Sequence, residues 1–467
     1  MGAVDFLVAL SSYIPEVKRP LGEIPLKKRL IWSALALIIF FVLGKISLMG
    51  LVKAEKFETQ FLILLGSSIG TLATAGIGPI VFASLLLQLI VGARLIDIDL
   101  TDPKGRAQFQ SIQKLAIVLF CFFEGFIYPV SGFIKGDVLL IGLQITLGSI
   151  IIFYLDDLVG KYGVGSGISL FIAGGVSSHL FLELFRPQVP GMQAGLVWRL
   201  IYTPNIIDVV SLIVMLIMFL LIIYANAMYI NIPITVGHGG LGGRFPVRLL
   251  YVSVLPVIFA SALFANISLL TAFFKDTPIV GDVGRILTWA TGQPVTEQLL
   301  PTSNYEGWIK IKDMRVRNLI LEIAYQVPAN GLGVLLQEQY LLKILQGILF
   351  LIIFCITCVA FGKLWITIGG QSPEDIAEQL ESSGMYIPGF RRDSRITVKI
   401  LERYIPTIVV LGSIFIALMS AIGDMSLGDL TSGTGILLTV SIIENLYQQL
   451  TRLKLQDMHP ILKRILR

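Results

Sequence analysis

The chain has 467 residues, 55 % of them hydrophobic and 14 % charged, with a mean hydropathy of +0.82. An average soluble domain carries roughly 25 % charged residues, so this chain cannot clothe its surface for water, and water-soluble classes are excluded before any motif is read. The net charge of +5 calls for no nucleic acid, because the cytosolic loops of membrane proteins are basic for topological reasons. The three cysteines, Cys121, Cys355 and Cys358, all lie in apolar runs, and an odd count argues against a disulfide framework.

At the N-terminus Ala3, Phe6, Leu7, Leu10 and Ile14 recur at spacings of three and four, followed by Pro15 and Lys18-Arg19. This pattern predicts a short helix lying at the membrane interface. The first strongly apolar stretch, Leu30 to Leu43, continues toward Leu48 without a small-residue cleavage site, so it reads as a retained span rather than a removable signal. A bilayer core about 30 Å thick needs about 20 apolar residues per helix. On that criterion ten spans are predicted, near 30–48, 77–96, 110–132, 138–156, 166–185, 207–229, 250–272, 340–362, 404–423 and 434–451. With the N-terminus inside, the cytosolic segments hold 23 Lys and Arg and the external ones 13, of which 7 fall in the long stretch 273–343. Long loops weigh little in the positive-inside rule, and both termini are expected in the cytosol.

Between Phe57 and Pro79 the chain reads FETQFLILLGSSIGTLATAGIGP, too short and too polar to span. Irregular backbone at membrane depth survives only where protein covers it or water fills a cavity, so the stretch is expected to fold back as a re-entrant half-helix; an external surface loop is the alternative. Further along, the sequence repeats. Pro79-Ile-Val-Phe-Ala-Ser-Leu-Leu86 is echoed by Pro256-Val-Ile-Phe-Ala-Ser-Ala-Leu263, and Gly165-Ser-Gly-Ile168 by Gly433-Thr-Gly-Ile436. Both echoes relate span n to span n+5. Five spans per half force the second half to run inverted, with a pathway at the interface of the halves near the midplane. Two halves are thus expected, 1–200 and 201–467, with spans two, five, seven and ten lining the pathway.

Fixed charge is scarce inside the spans. Glu124 in span three and Glu444 in span ten are the only carboxylates well within one, and an intramembrane acid is a functional candidate by default. Glu444 lies nearer the cytosolic end; for Glu124 a polar partner is available in Asn266 of span seven if the two helices meet. The other reading is a hydrogen bond that merely holds the bundle. Gly66-Ser-Ser-Ile-Gly70 fits the nucleophile pattern G-x-S-x-G without the strand-to-helix elbow, histidine and acid it requires. Gly237-His-Gly-Gly-Leu-Gly242 fits G-x-G-x-x-G without a βαβ unit. Cys355 and Cys358 spell CxxC inside an apolar helix, where a thiolate is unfavourable. Three histidines at no metal-ligand spacing leave no metal site. No catalytic residue, metal or cofactor is expected.

The stretches Thr71 to Val81, Lys161 to Ile172, Tyr251 to Ile267 and Ser432 to Val440 resemble the signatures of SecY-type translocon α-subunits, in the forms of the archaeal and eukaryotic branch, and the likeness runs the whole length. The resemblance implies an all-α membrane protein of ten helices in two inverted, pseudo-symmetric halves with a re-entrant plug. Its function would be the pore-forming subunit of a protein-conducting channel in the plasma membrane, passing unfolded secretory chains across and releasing transmembrane segments sideways into membrane lipid. By motif position the apolar constriction maps to Ile77, Val81, Ile168, Ile172, Ile258 and Leu438. The plug maps to roughly Phe57–Gly70, including Phe57, Phe61, Leu62, Leu65 and Ile69. The lateral gate, between spans two and three on one side and seven and eight on the other, would engage Glu124 and Asn266, with Phe82 where relatives carry a polar residue.

Arg244 and Arg248, with Arg391 and Arg392, are basic residues of two cytosolic loops. Positive-inside topology alone explains them; the resemblance implies ribosome docking, salt-dependent against a polyanionic RNA surface. Further implied partners are small SecE-type and beta-type subunits, signal sequences and nascent polypeptides. The competing reading from inverted repeats with a broken helix is an ion-coupled secondary transporter of a small solute; an intramembrane hydrolase lacks its constellation.

Overall fold

The computed structural model describes residues 3–458 apart from 21, 23, 55–67, 94, 97, 99–101, 189–193, 204, 237–240, 253, 278, 294, 296–298, 301–315, 317–318, 331, 383–384, 387–393 and 428–431. The interfacial helix predicted at the N-terminus is α1 (Ala3–Ser11). A helix then occupies each of the ten predicted spans. In the first half these are α2 (Leu26–Leu43), α3 (Gly78–Gly92), α4 (Pro103–Val130), α5 (Val138–Tyr162) and α6 (Gly167–Phe185). After a linker helix, α7 (Leu196–Tyr202), come α8 (Ile206–Ala227), α9 (Leu255–Phe273) and the shorter α10 (Val280–Ala290) and α11 (Leu319–Asn330). The chain continues with α12 (Glu338–Ile368), α13 (Pro373–Ser382), α14 (Ser394–Ser426) and α15 (Gly433–Met458).

Seven of these, α4, α5, α6, α8, α9, α12 and α14, are long and apolar enough to cross a membrane. The other three differ for local reasons: α3 has 15 residues, α2 opens on Lys27-Lys28-Arg29, and the second half of α15 carries Glu444, Asn445, Gln448 and Gln449. Helix starts follow their residues. Asp137 Oδ1 accepts hydrogen bonds from Leu139 N at 3.0 Å and Leu140 N at 3.2 Å, capping α5, while α3 and α9 each place a proline in the first turn, where its missing N–H costs nothing.

The predicted cytosolic loop after span six contains a β-hairpin. β1 (Leu51–Ala54) and β2 (Ile134–Gly136) form a small ladder elsewhere, but here β3 (Tyr229–Val236) pairs with β4 (Leu241–Arg248) over eight residues, and β5 (Met385–Tyr386) joins the far end of β3. The signal is present in the sequence, because Ile230, Ile232, Ile234 and Val236 alternate with period two, the period of a strand.

Helix packing repeats along the chain. α4 packs on α5 as α12 packs on α14, α3 on α4 as α9 on α12, and α2 on α5 as α8 on α14. Likewise α2 meets α6 as α8 meets α15, and α5 meets α6 as α14 meets α15. Each of these five contacts among α2–α6 therefore has its counterpart among α8, α9, α12, α14 and α15. Between the two sets, α3 touches α9 and α12, α4 touches α9, and α6 and α2 touch α15.

A single apolar core runs across both sets, including Phe40, Ile80, Leu85, Ile152, Phe171, Val257, Phe354, Ile416 and Leu437. α9 is the most enclosed helix, with 72 % of its apolar window buried against 22 % for α8, whose Ile213, Leu216, Ile217, Leu220 and Tyr224 stand exposed. Lipid tails are as apolar as leucine, so helices associate through close packing and small residues rather than through flight from water. Ala83, Ala260, Ala262 and Ala265 supply that closeness on α3 and α9. A second core, with Leu48, Phe133, Ile141, Leu269 and Leu299, closes one pole; a third, with Val247, Ile366, Ile376, Leu401 and Ile405, knits the hairpin foot, α12, α13 and α14 at the other.

Candidate functional site

Of the six aliphatic residues singled out, Ile77 and Val81 stand at the start of α3, Ile168 and Ile172 in the first turns of α6, Ile258 in the first turn of α9 and Leu438 in α15. Ile77, Ile172 and Leu438 are 0 % exposed, Val81 3 % and Ile258 7 %. Ile168 is half-buried and packs on the same core that holds the other five. All six therefore belong to the one apolar core that runs across both helix sets, and none is spread on the outer, lipid-type surface. A constriction of branched aliphatic groups seals against ions by dewetting and offers a passing chain no hydrogen bond.

Ahead of α3 the backbone is irregular and buried. Gly70 and Gly76 take positive φ, 81° and 54°, conformations that favour glycine. Leu48 N donates to Gly70 O at 2.9 Å and Leu72 N to Ile46 O at 3.0 Å. Thr71 Oγ1 donates to Ser68 O at 2.6 Å, and Thr74 is fully buried. Gly148 of α5 lies so near the Leu72 carbonyl that a Cβ there would collide with it. The foot of the segment is thus clamped to the end of α2 and to α5. Ile69 packs on the second core; Phe57, Phe61, Leu62 and Leu65 lie outside the described residues.

Glu124 and Asn266 are both buried, at 1 % and 4 % exposure, on helices α4 and α9 that do touch. The partnership allowed for in the sequence is not formed: Asn266 Nδ2 donates to Ala262 O of its own helix at 3.0 Å, and Glu124 Oε1 has no hydrogen-bond partner among the described residues. An asparagine in a helix can satisfy itself on the carbonyl four residues back, which competes with a longer reach to another helix. Nearby, Phe82 stacks edge-on against Phe120 of α4 at 5.0 Å. Gln113 Nε2 donates to Ser84 Oγ at 2.7 Å, and the buried Gln88 leaves Oε1 unpartnered among the described residues. Gln88, Ser84 and Gln113 were missed in the sequence, where two glutamines and a serine near helix ends carry no distinctive spacing.

The basic residues divide. Arg244 sits opposite Pro233 in the hairpin ladder, toward its tip, whereas Arg248 sits at the foot opposite Tyr229 and donates through Nη2 to Gln448 Oε1 of α15 at 2.7 Å. Arg391 and Arg392 lie outside the described residues. β5 pairing with β3 at Thr235 and Val236 joins the two loops in one sheet. Tyr251 Oη donates to Gln371 O at 3.2 Å, and burial, with the Asp375 charge, pushes its phenol up to about 12.

Chemistry of other kinds finds little footing. No group of three metal-ligating side chains stands together among the described residues. Cys358 Sγ faces Pro256 O at 3.9 Å, and Cys355 and Cys358 are free thiols. The backbone of Ser68 is tied to Ala73 O, with none of the geometry of an activated nucleophile.

Comparison with known proteins agrees with this geometry. The SecY family model matches residues 71–447. The chain is 35 % identical to the protein translocase subunit SecY of Methanothermobacter thermautotrophicus, covering 98 % of this chain and 97 % of that one. It is 36 % identical to the SecY of Methanocaldococcus jannaschii, covering 98 % and 99 %. Among solved structures, that of a protein-conducting channel superposes with a TM-score of 0.78 at 33 % identity, covering 97 % of this chain and 98 % of that chain. Sec61 in the canine ribosome–channel complex from the endoplasmic reticulum superposes at 0.75, with 33 % identity and coverage of 97 % and 98 %. These relatives are translocase subunits and protein channels, so the solute-transporter alternative loses its footing. On the full-length identity and the matched fold, the chain belongs to the SecY family of protein translocase subunits, the protein-conducting channels of membranes.

Proposed function

We propose that this chain works as the central subunit of a channel whose waist is the ring Ile77, Val81, Ile168, Ile172, Ile258 and Leu438, through which an unfolded secretory polypeptide threads. The observation that carries the reading is the convergence of these six side chains, from four helices of both sets, in one buried apolar body. Ten spans in two inverted halves, 1–200 and 201–467, with both termini cytosolic, are supported by the packing that recurs five helices on and by the charge asymmetry of the loops. The contacts of α3 with α9 and α12, and of α4 with α9, form the seam that parts as a lateral gate, with Glu124 and Asn266 beside it. A hydrophobic signal helix leaving through it enters lipid, favoured by about 25 cal/mol per Å² of apolar area removed from water.

The segment from roughly Phe57 to Gly70 acts as the plug. Arg244, Arg391 and Arg392 meet the ribosome; one solved relative is a ribosome–channel complex. Small SecE-type and beta-type subunits complete the assembly in the plasma membrane, and no enzymatic step is involved. A photo-crosslinker at Ile258 tests the waist: it should capture a stalled secretory chain. No capture there, with robust uptake of small solutes by the purified protein in liposomes, would overturn the reading.

A further inference from the structure

Beside the first turn of α6 lies a cavity of about 390 Å³ that the channel reading does not use. Its wall is built of donors: Ser166 and Ser169 at the start of α6, Arg248 at the foot of β4, and Gln448, Gln449 and Arg452 along α15. Positions 448 and 449 lie three and four residues after 445, and 452 lies four after 448, so α15 presents them on one face. Among the described residues no carboxylate lines the cavity. Two acids near it in the chain are engaged: Glu444 Oε1 accepts from Gln448 Nε2 at 3.0 Å, and Asp156 Oδ1 accepts from Ile168 N at 2.9 Å. Among the described residues no ion pair joins Arg248 or Arg452, and both side chains are exposed. The space is therefore cationic and rich in hydrogen-bond donors.

Its position says what reaches it. Ser166 and Ser169 flank Ile168, and the buried Ile442, which also lines the cavity, stands one helical turn beyond Leu438. The cavity therefore lies beside two of the residues assigned to the waist, Ile168 and Leu438. Its volume is of the scale that takes side chains or small molecules.

We propose that this cavity receives carboxylate side chains of the polypeptide approaching the waist, holding acidic segments and turning away basic ones just before entry. The proposal rests on the channel reading above. The geometry matches the ligand: a carboxylate accepts from guanidinium, hydroxyl and amide groups, and charge-assisted bonds of this kind are the strong ones, whereas a lysine ammonium meets the like charge of Arg248 and Arg452.

The test uses the full channel complex engaged with a stalled secretory chain, carrying a photo-crosslinker at Gln449. Three chains differ at one residue placed at the cavity, aspartate, asparagine or lysine. Capture should fall in the order aspartate, asparagine, lysine, with aspartate ahead of asparagine by about five-fold at low salt, the scale of an exposed ion pair. The advantage should fade in 1 M salt, where screening shortens to about 3 Å. Arg452→Glu should reverse the order, and as an exposed residue it leaves folding intact. Equal capture of all three chains, an unchanged order in Arg452→Glu, or capture of ribosomal RNA at Gln449 in place of the chain would overturn the proposal. The same chains with the crosslinker at Ile258 separate the two levels. Capture there without discrimination at Gln449 sinks only the cavity, and no capture there sinks the channel reading beneath it.

Discussion

Replacing Ile172 with alanine deletes three carbons from a side chain that is 0 % exposed at the seam between α6 and its neighbours. At about 0.8 kcal/mol per buried methylene, plus the cavity left behind, a buried isoleucine truncated to alanine costs 2–5 kcal/mol, of which about 2–4 falls on the packed waist here. If Ile172 seals a waist that opens, that cost is borne by the closed state alone. The closed-to-open ratio then drops by roughly 30-fold to nearly a thousand-fold, since each 1.4 kcal/mol is a factor of ten. Ile152→Ala is the control. Ile152 is also 0 % exposed and belongs to the same core, but stands on α5, which contributes nothing to the six-residue ring. Conductance across planar bilayers, recorded without substrate, should rise sharply for Ile172→Ala and stay at the wild-type level for Ile152→Ala, while both lose thermal stability in detergent. Equal leaks from the two variants, or none from Ile172→Ala, would refute the assignment of Ile172 to the waist.

Gly148→Ala should drive a methyl group into the Leu72 carbonyl and lower stability by about 1–3 kcal/mol through overpacking, read as a drop in the detergent melting temperature. An unchanged melting curve would show that the clamp on 68–74 yields freely. Asp137→Ala removes the cap that receives Leu139 N and Leu140 N and should cost about 1 kcal/mol with no change in conductance, checked by melting and bilayer recording side by side. Glu16 is held below the usual carboxylate range, chiefly by its hydrogen bond with Lys114, with desolvation acting against it. A lowered carboxylate stabilises the fold above its ordinary titration range and loses that contribution as pH falls through the lowered value. Glu16→Gln should therefore trail the wild type at pH 6, by less than about 1 kcal/mol for so exposed a pair, and match it at strongly acid pH. Melting curves across that range decide it, and a gap that persists in acid would argue for a packing role instead.

The starts of the corresponding helices in the two sets were legible in the sequence because a duplicated motif carries its own coordinates. Val81 and Ile258 each stand two residues after the prolines that open α3 and α9, and Ile168 opens α6 as Ile436 opens α15. The hairpin was overlooked although its period of two is plain, since glycines at 239, 240, 242 and 243 read more readily as loop. Arg248 was grouped with Arg244 by proximity in the chain. Only the ladder, which puts one at the foot, where it bonds to α15, and the other toward the tip, separates the two.

Residence in the membrane and the placing of the helical stretches were set by composition and by the spacing of apolar runs, because a bilayer imposes a fixed length and burial of backbone polar groups on any chain that enters it. What hydropathy cannot specify is which face of an all-apolar helix meets a neighbour, since lipid and protein interior are nearly equivalent surroundings. That choice was made by packing. It turned Asn266 onto Ala262 rather than Glu124, sank Ile77, Ile172 and Leu438 in a shared core, and gathered Ser166, Arg248 and Arg452 from three distant stretches around one cavity.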